Sequence, residues 1–186
     1  MSTRLIVPPA GLAVSMAAAQ LAARVDVDEK GKSPLDAEIE QAIRTYTAEA
    51  ETITKRAVIQ QTWRTTLDRF GASIMLSKSR VLKVDHVKFY DAAGVQRTLD
   101  PEDYEVDAES EPGYVVPAPT KAWPVTANRI NAVEVQYMAG YGPDETAVPD
   151  GIKGFILARI TEHFETGGLA TSVAAKRLLS RFRMYA

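Results

Sequence analysis

The chain has 186 residues and a mass of 20.3 kDa, a length that suits one domain with a sizeable core. Its 22 Lys and Arg residues nearly balance its 24 Asp and Glu residues, so the net charge of −2 gives no overall attraction to nucleic acid or to an anionic membrane. The sequence has no cysteine, which excludes disulfide bonds, a thiolate nucleophile and a cysteine-based zinc site. Pro8, Pro9 and Gly11 interrupt the apolar N-terminal residues, a pattern unlike that of a signal peptide or a membrane span.

Two helices are predicted after the extended N-terminal residues. Ser15 is placed to cap a short Ala-rich helix that runs to about Arg24. Ser33 begins a capping-box pattern, which predicts a longer helix that ends near Lys55 or Arg56. Apolar residues recur at helical spacing along this second helix: Leu35, Ile39, Ile43, Tyr46, Ala50 and Ile53.

From about residue 58 to residue 140 the sequence has the alternating, β-branched pattern of short strands. Strands are predicted in the segments VIQQTWRTTLDRF, VLKVDHVKFYD, VQRTL, YEVD, GYVVP and AVEVQYM. Pro, Gly, Asp and Asn residues separate them, so a meander-like antiparallel arrangement is expected. Trp123, beside Pro124, is predicted to be the buried anchor of this part of the chain.

A Gly-Tyr-Gly-Pro turn then returns the chain to helix. We interpret it as the junction between a β lobe and a helical body, because its glycines permit backbone angles that a side chain would forbid. The junction consists of Gly140, Tyr141, Gly142 and Pro143. Pro149 and Asp150 predict the start of a third helix, which ends at Gly167 and Gly168. Its predicted apolar face carries Ile152, Phe155, Ile156, Ile160, His163 and Phe164.

A last helix is predicted in the segment TSVAAKRLLSRFRMYA, with its apolar side formed by Val173, Leu178, Leu179, Phe182 and Tyr185. The predicted fold class is therefore α+β, with a mainly α-helical body of about four helices and an antiparallel β insertion between the second and third long helices. The body comprises residues 1–57 and 145–186, and the insertion comprises residues 58–144, within a single domain of residues 1–186.

The search for catalytic chemistry finds no constellation. Only His86 and His163 are available for metal binding or proton transfer near neutral pH, and neither has metal-ligand spacing around it, so a structural role is favoured for both. The sequence has no glycine-rich phosphate loop and no nucleophile elbow. The residues therefore disfavour an enzyme without excluding one, and they single out no catalytic residue and no metal site.

Two clusters of charge stand out against the neutral total. The acidic run consists of Asp100, Glu102, Asp103, Glu105, Asp107, Glu109 and Glu111, with no cation among them. It is either a solvated edge that deters unwanted strand pairing or a functional negative surface. The basic segment near the C-terminus carries Lys176, Arg177, Arg181 and Arg183. These cations either complement a helix C-terminus or dock onto an acidic partner or nucleic acid, and the apolar residues between them favour a protein partner.

Six segments together resemble one protein family. They are LIVPPAGLAVSMAAAQLAARVD, YTAEAETITKRAVIQQTWRTTLDRF, VKFYDAAGVQRTLDPEDYEVD, EPGYVVPAPTKAWP, VQYMAGYG and VPDGIKGFILARITEHFE. In this order and spacing, over nearly the whole chain, the sequence resembles the head-tail connector, or adaptor, proteins of tailed double-stranded DNA bacteriophages and gene transfer agents. The first helix is richer in alanine than is usual for the family, and the C-terminal segment is individual.

The resemblance implies a structural protein of the virion neck, without catalysis or cofactor, assembled in the cytoplasm of the bacterial host. It implies a homo-oligomeric ring, usually dodecameric, beneath the portal protein at the portal vertex. The ring would contact the portal on one side and a tail, stopper or terminator protein on the other. It would line the exit channel for double-stranded DNA, without sequence-specific contacts and without a membrane. The alternative function is that of a DNA-binding packaging accessory protein, and a nucleic-acid or cell-wall hydrolase is disfavoured.

Site residues are expected in both charged clusters. Portal docking is predicted for Lys176, Arg177, Leu179, Arg181, Phe182, Arg183 and Tyr185, with apolar side chains as anchors and cations as the rim. Deletion of residues 173–186 is expected to leave a folded subunit. Part of the acidic run is predicted to face the DNA channel, because a conduit for a polyanion should repel phosphates weakly rather than bind them.

Overall fold

The computed structural model describes residues 1–167 and 173–184. The chain divides into two compact units. Residues 1–8 and 60–140 form the first, which we call the sheet unit. The second, the helical unit, contains residues 9–59 together with residues 141–167 and 173–184.

The sheet unit contains eight strands among its described residues. They are β1 (Ser2–Val7), β2 (Gln61–Leu67), β3 (Ile74–Leu76), β4 (Val81–Tyr90), β5 (Gln96–Thr98), β6 (Tyr104–Asp107), β7 (Gly113–Pro117) and β8 (Val133–Ala139). Five strands form one antiparallel sheet in the order β1-β2-β8-β4-β5, and three form a second in the order β3-β7-β6. The strand β8 lies at the centre of the larger sheet, paired with β2 on one side and β4 on the other.

The alternation of β8 gives the larger sheet one buried face. Val133, Val135, Tyr137 and Ala139 are fully buried, whereas the residues between them are only partly buried. The hydroxyl of Tyr137 accepts a hydrogen bond from the backbone N–H of Lys78 at 3.3 Å, and burial raises the pKa of this tyrosine above its ordinary value. The opposite face carries polar and charged side chains, and we call it the outer face.

The helical unit packs α1 (Met16–Ala23), α2 (Asp36–Thr54) and α3 (Asp150–Thr166) around one apolar core, to which the short α4 (Val173–Leu178) is added. Large side chains that are fully buried in this core include Ile39, Ile43, Ile152, Phe155, Ile156, Ile160 and Leu179. The residues of α2 and α3 in this set recur at spacings of three and four, which is why those two helices face each other in the core. Ser15 caps α1 as predicted, since its Oγ accepts a hydrogen bond from the Ala18 N–H at 3.2 Å.

The predicted fold class is wrong in its balance, because the protein is not mainly helical. Helix accounts for 33% of the described residues and strand for 27%. One cause is the N-terminal lead, which was expected to be merely extended. It forms β1, whose residues pair with β2 along the edge of the larger sheet. Nothing within this short segment reveals that pairing, because its partner strand lies about sixty residues further along the chain.

The strand arrangement also differs from the expected meander. Strands lie at all six predicted segments, but β8 pairs with β2 and β4, so the last strand of the unit lies between earlier ones. The predicted capping box of α2 is wrong as well, because Leu35 occupies the cap position without a side-chain hydrogen bond. The carboxylate of Asp36 instead accepts a hydrogen bond from Gln20 Nε2 at 2.6 Å. Within the described ranges, no helix has the length and apolar character needed to cross a membrane.

Candidate functional site

The acidic run lies at one edge of the smaller sheet. It begins at the 3₁₀ turn of residues Pro101–Asp103 and continues through β6, which is an edge strand. All seven carboxylates are exposed or half-buried, as expected for groups that retain their charge in water. The edge position agrees with both interpretations of the run, since charged edges deter strand pairing and also present charge to a partner.

Three of the seven carboxylates are held by neighbours within the chain. Asp100 caps the 3₁₀ turn by accepting a hydrogen bond from the Glu102 N–H at 3.1 Å, and Asp103 pairs with Lys121 Nζ at 2.9 Å. Asp107 accepts hydrogen bonds from the backbone N–H groups of Ser110 and Glu109. Hydrogen bonds from Ser110 and Glu109 hold the pKa of Asp107 below its ordinary value, so this carboxylate stays ionised.

Three other carboxylates of the run project into solvent. The side chains of Glu102, Glu105 and Glu109 are exposed and form no ion pair with any described residue. Glu102 nevertheless contributes, after Asp103, to the negative charge that raises the pKa of Lys121, whereas no described cation pairs with Glu105 or Glu109. The channel role predicted for part of the run stays a prediction.

The basic C-terminal segment is divided between the core and the surface. Lys176, Arg177, Arg181 and Arg183 are exposed, but Leu179 is fully buried in the core of the helical unit. The predicted helix is also shorter than expected. It ends at Leu178 and is followed by a 3₁₀ turn of residues Ser180–Phe182.

The change from α-helix to 3₁₀ turn alters which side chains face the core. Val173 and Leu178, which were predicted to share the apolar side with Leu179, are 69% and 43% exposed. The ring of Phe182 lies so close to α3 that a Cβ atom on Gly151 would be 2.6 Å from Phe182 Cε2. Tyr185 lies outside the described residues.

Hydrogen bonds that involve its backbone groups also connect this segment to the rest of the helical unit. Arg56 Nε donates to the carbonyl oxygen of Phe182 at 2.6 Å, and the Met184 N–H donates to the carbonyl oxygen of Thr54 at 3.0 Å. The expected independence of residues 173–186 from the folded subunit therefore conflicts with their contacts. Docking through the segment stays a prediction, and the exposed groups available to it are mostly cations.

The predicted junction coincides with the division of the chain, which falls between Gly140 and Tyr141. Gly140 has a φ of 140°, a conformation that residues with a side chain rarely adopt. Gly142 is buried, and a Cβ atom there would lie 2.4 Å from the Cβ of Ala147. Both glycines are therefore required by local geometry, for different reasons. Their role in fixing one lobe relative to the other stays a prediction.

A polar cluster inside the helical unit was not predicted from the sequence. Arg159 is 5% exposed and donates hydrogen bonds to Glu49 Oε2 at 3.0 Å and to Glu162 Oε2 at 2.6 Å. Burial alone would lower the pKa of Arg159, but its hydrogen bonds to Glu162 and Glu49 outweigh that effect and raise the pKa. Its guanidinium also lies 4.6 Å from the ring centre of Tyr46.

His163 belongs to the rim of the same cluster. Its Nδ1 shares a hydrogen bond of 2.9 Å with the Tyr46 hydroxyl, and its Nε2 lies 3.5 Å from Glu38 Oε1. Among the described residues, no group of three or more His, Cys, Asp or Glu side chains is arranged to hold a metal ion. These contacts favour the structural role that the sequence suggested for His163.

The outer face of the larger sheet is the second surface that the sequence did not single out. Strand register brings four permanent cations to one side: Arg4, Arg64, Lys83 and Lys88. A fifth, Arg129, comes from the loop before β8 and lies over the ring of Tyr90 in β4. Two carboxylates lie among them. Glu134 is within 3.4 Å of Arg64 and 3.2 Å of His86, and Asp85 pairs with Lys83 at 3.0 Å. His86, for which a structural role was favoured, thus lies on a charged surface.

Trp123, which was predicted to be the buried anchor of the β insertion, is only half-buried. Its ring stacks on that of Phe70 with centroids 4.6 Å apart and an angle of 7° between the planes. Phe70 in turn contacts Phe89, which is buried under the larger sheet. The tryptophan therefore anchors its loop through a stacked pair at the margin of the core.

Comparison with known proteins gives matches at the level of structure. No protein-family model and no curated protein matches this chain. Its fold is similar to a chain in the neck of an empty gene transfer agent (GTA) particle computed with C6 symmetry, with a TM-score of 0.83 and 20% identity. A chain from the virion of a native GTA particle gives a TM-score of 0.79 at 20% identity, and a chain from the neck of a native GTA particle computed with C12 symmetry gives 0.72 at 21%. Each match covers 100% of this chain and 97% of the other, so the fold shared with these particle chains extends over the entire protein.

Proposed function

We propose that this protein is a structural subunit of the neck of a phage-like particle, and that it acts there as a head-tail connector. In this role, copies of the chain form a ring below the portal, join it to the tail machinery and surround the path of the DNA. The observation that carries the proposal is the similarity of fold, over all of this chain, to chains from GTA necks. The order of the sequence segments described above supports the same function.

The charge distribution fits a protein that binds other proteins and surrounds a passage for DNA. Exposed cations of the C-terminal segment supply one surface, which we assign to the portal. With Leu179 committed to the core, this contact is mainly electrostatic, and steep weakening with added salt is expected. Part of the acidic run is proposed to face the passage, where negative charge keeps DNA phosphates from binding.

Binding to a portal ring from the same particle tests this function. We expect the wild-type protein to co-sediment with portals and to appear in electron micrographs as an added ring of density. The variant Lys176→Glu/Arg177→Glu should lose at least tenfold in affinity, because like charges placed across an interface repel. The matched control is Lys30→Glu/Lys32→Glu, which reverses two exposed cations elsewhere in the helical unit. If the wild-type protein does not bind portals at low salt, the connector role is refuted.

A further inference from the structure

The outer face of the five-stranded sheet has a surplus of positive charge that the subunit itself does not neutralise. Arg4, Lys88 and Arg129 form no ion pair with any residue that the structure describes. Arg4 is exposed, and Arg129 lies 3.9 Å from the ring centre of Tyr90, which holds its guanidinium at the margin of the face. The face thus presents fixed cations at an accessible surface.

Strand register places Arg4 and Lys88 on the same side of the sheet as Glu134. Arg4 is opposite Arg64 on the neighbouring strand, and Lys88 is opposite Glu134 in β8. Side chains directly opposite on antiparallel strands lie on the same face, so the cations of β1, β2 and β4 surround Glu134. Shallow grooves of about 280 Å³ and 190 Å³ lie on the two sides of this glutamate.

The same sheet unit carries the complementary surface. Glu102, Glu105 and Glu109 are exposed carboxylates without an ion-pair partner among the described residues. The chain therefore holds three unpaired acids on one surface and three unpaired cations on a different one, although its net charge is only −2. Two different surfaces that complement each other are what a head-to-tail ring requires, whereas a two-fold dimer uses one surface twice.

We propose that the outer face of one subunit binds the acidic run of a second copy of this chain, in the contact that closes the ring. The inference rests on the ring of the proposed function and names the two surfaces that meet. Glu102, Glu105 and Glu109 pair with the cations around Glu134. Asp100, Asp103 and Asp107 keep their internal partners, and they are the part of the acidic run that is left to face the DNA passage of the proposed function.

The size of the face predicts a weak contact. Five strands about 4.8 Å apart, with a mean length of about seven residues, cover roughly 450 Å². Stable interfaces bury about 800 Å² on each partner. Val125 and Ile130, which are 77% and 75% exposed in the loop beside Arg129, can add apolar area. Self-association should therefore need high protein concentration and should weaken as salt screens the charges.

Charge reversal in trans tests the contact. The basic-face variant carries Arg4→Glu, Lys88→Glu and Arg129→Glu, and the acidic-run variant carries Glu102→Lys, Glu105→Lys and Glu109→Lys. Each variant alone should associate about a hundredfold more weakly than wild type, because every contact then places like charges together. An equimolar mixture should regain assembly as an alternating ring, in which each contact joins unlike charges. Lys30→Glu/Lys32→Glu/Lys55→Glu reverses three exposed cations of the helical unit and should assemble like wild type.

Sedimentation velocity at 20 mM and 500 mM NaCl measures assembly, and circular dichroism verifies that every variant is folded. If folded single variants assemble like wild type, or if their mixture does not, the assigned contact is wrong while the ring itself stands. Should wild type remain monomeric at millimolar concentration in low salt, the ring of the proposed function fails and this inference fails with it. Loss of short duplex DNA binding by the basic-face variant, with assembly intact, would assign the face to DNA instead.

Discussion

Replacement of Leu179 by alanine tests whether the C-terminal segment is part of the core or an appendage. Leu179 is fully buried among residues of the helical unit. Removing a buried leucine side chain loses about 2 kcal/mol of transfer free energy, and the cavity it leaves raises the total cost to about 3 kcal/mol. With a urea m-value of about 2 kcal/mol/M, the unfolding midpoint should fall by about 1.5 M. Leu178→Ala is the matched control, because it removes the same atoms from a neighbouring side chain that is 43% exposed.

The assay must report on the helical unit. Both tryptophans, Trp63 and Trp123, belong to the sheet unit, so their fluorescence does not report helix unfolding directly. Ellipticity at 222 nm during urea unfolding follows the helices instead. If Leu179→Ala lowers the free energy of unfolding no more than Leu178→Ala does, the packing of this segment has been assigned wrongly. Deletion of residues 173–186 would then be tolerated, as the sequence alone suggested.

Three further predictions concern stability. Gly142→Ala should lower the free energy of unfolding by about 1–3 kcal/mol, because the new Cβ would overlap that of Ala147. Gly154→Ala in the middle of α3 should instead raise it by roughly 0.5–1 kcal/mol, and equal effects of the two substitutions in urea unfolding would refute the close approach of Gly142 to Ala147. Arg159→Met should cost about 3 kcal/mol, because it removes the buried cation that pairs with Glu49 and Glu162. Arg44→Met, at an exposed pair with Glu40, should change stability by at most about 0.5 kcal/mol, and comparable losses for the two variants would contradict the buried network. Trp123→Ala should lower the free energy of unfolding by about 2 kcal/mol or more, whereas Trp123→Phe should retain most of that stability because its ring can still stack on Phe70. Identical urea midpoints for the two variants would show that this stacking is unimportant.

The sequence predicted the secondary-structure elements better than it predicted which strands pair with each other. Alternation located β8 and helical spacing located α3, because each pattern is a local consequence of one buried face. It could not place β1 in the larger sheet, since an edge strand with mostly exposed side chains carries little alternation. It could not place β8 between β2 and β4 either, because strand order depends on contacts between segments far apart in the chain.

Of the two candidate surfaces, one could be predicted from the sequence and the other could not. The acidic run is contiguous in sequence, so it was visible without a structure. The outer face is assembled from β1, β2 and β4 and from the loop at Arg129, and only strand register brings its cations together. Its signal in the sequence was limited to charged residues at alternate positions of strands, such as Arg64, His86 and Lys88, which solvation explains equally well.

The burial of Leu179 also limits which kinds of contact the proposed neck subunit could make. An apolar anchor exposed in the free subunit would favour aggregation, and the structure removes one candidate by packing it inside the helical unit. The exposed groups of the basic segment and of the acidic run are then largely charged. Single charged contacts at a protein surface are weak in physiological salt, but a ring repeats each of them many times. Assembly that relies on such repeated contacts becomes stable only when many copies bind together, which would suit the proposed role of a subunit that forms a ring below a portal.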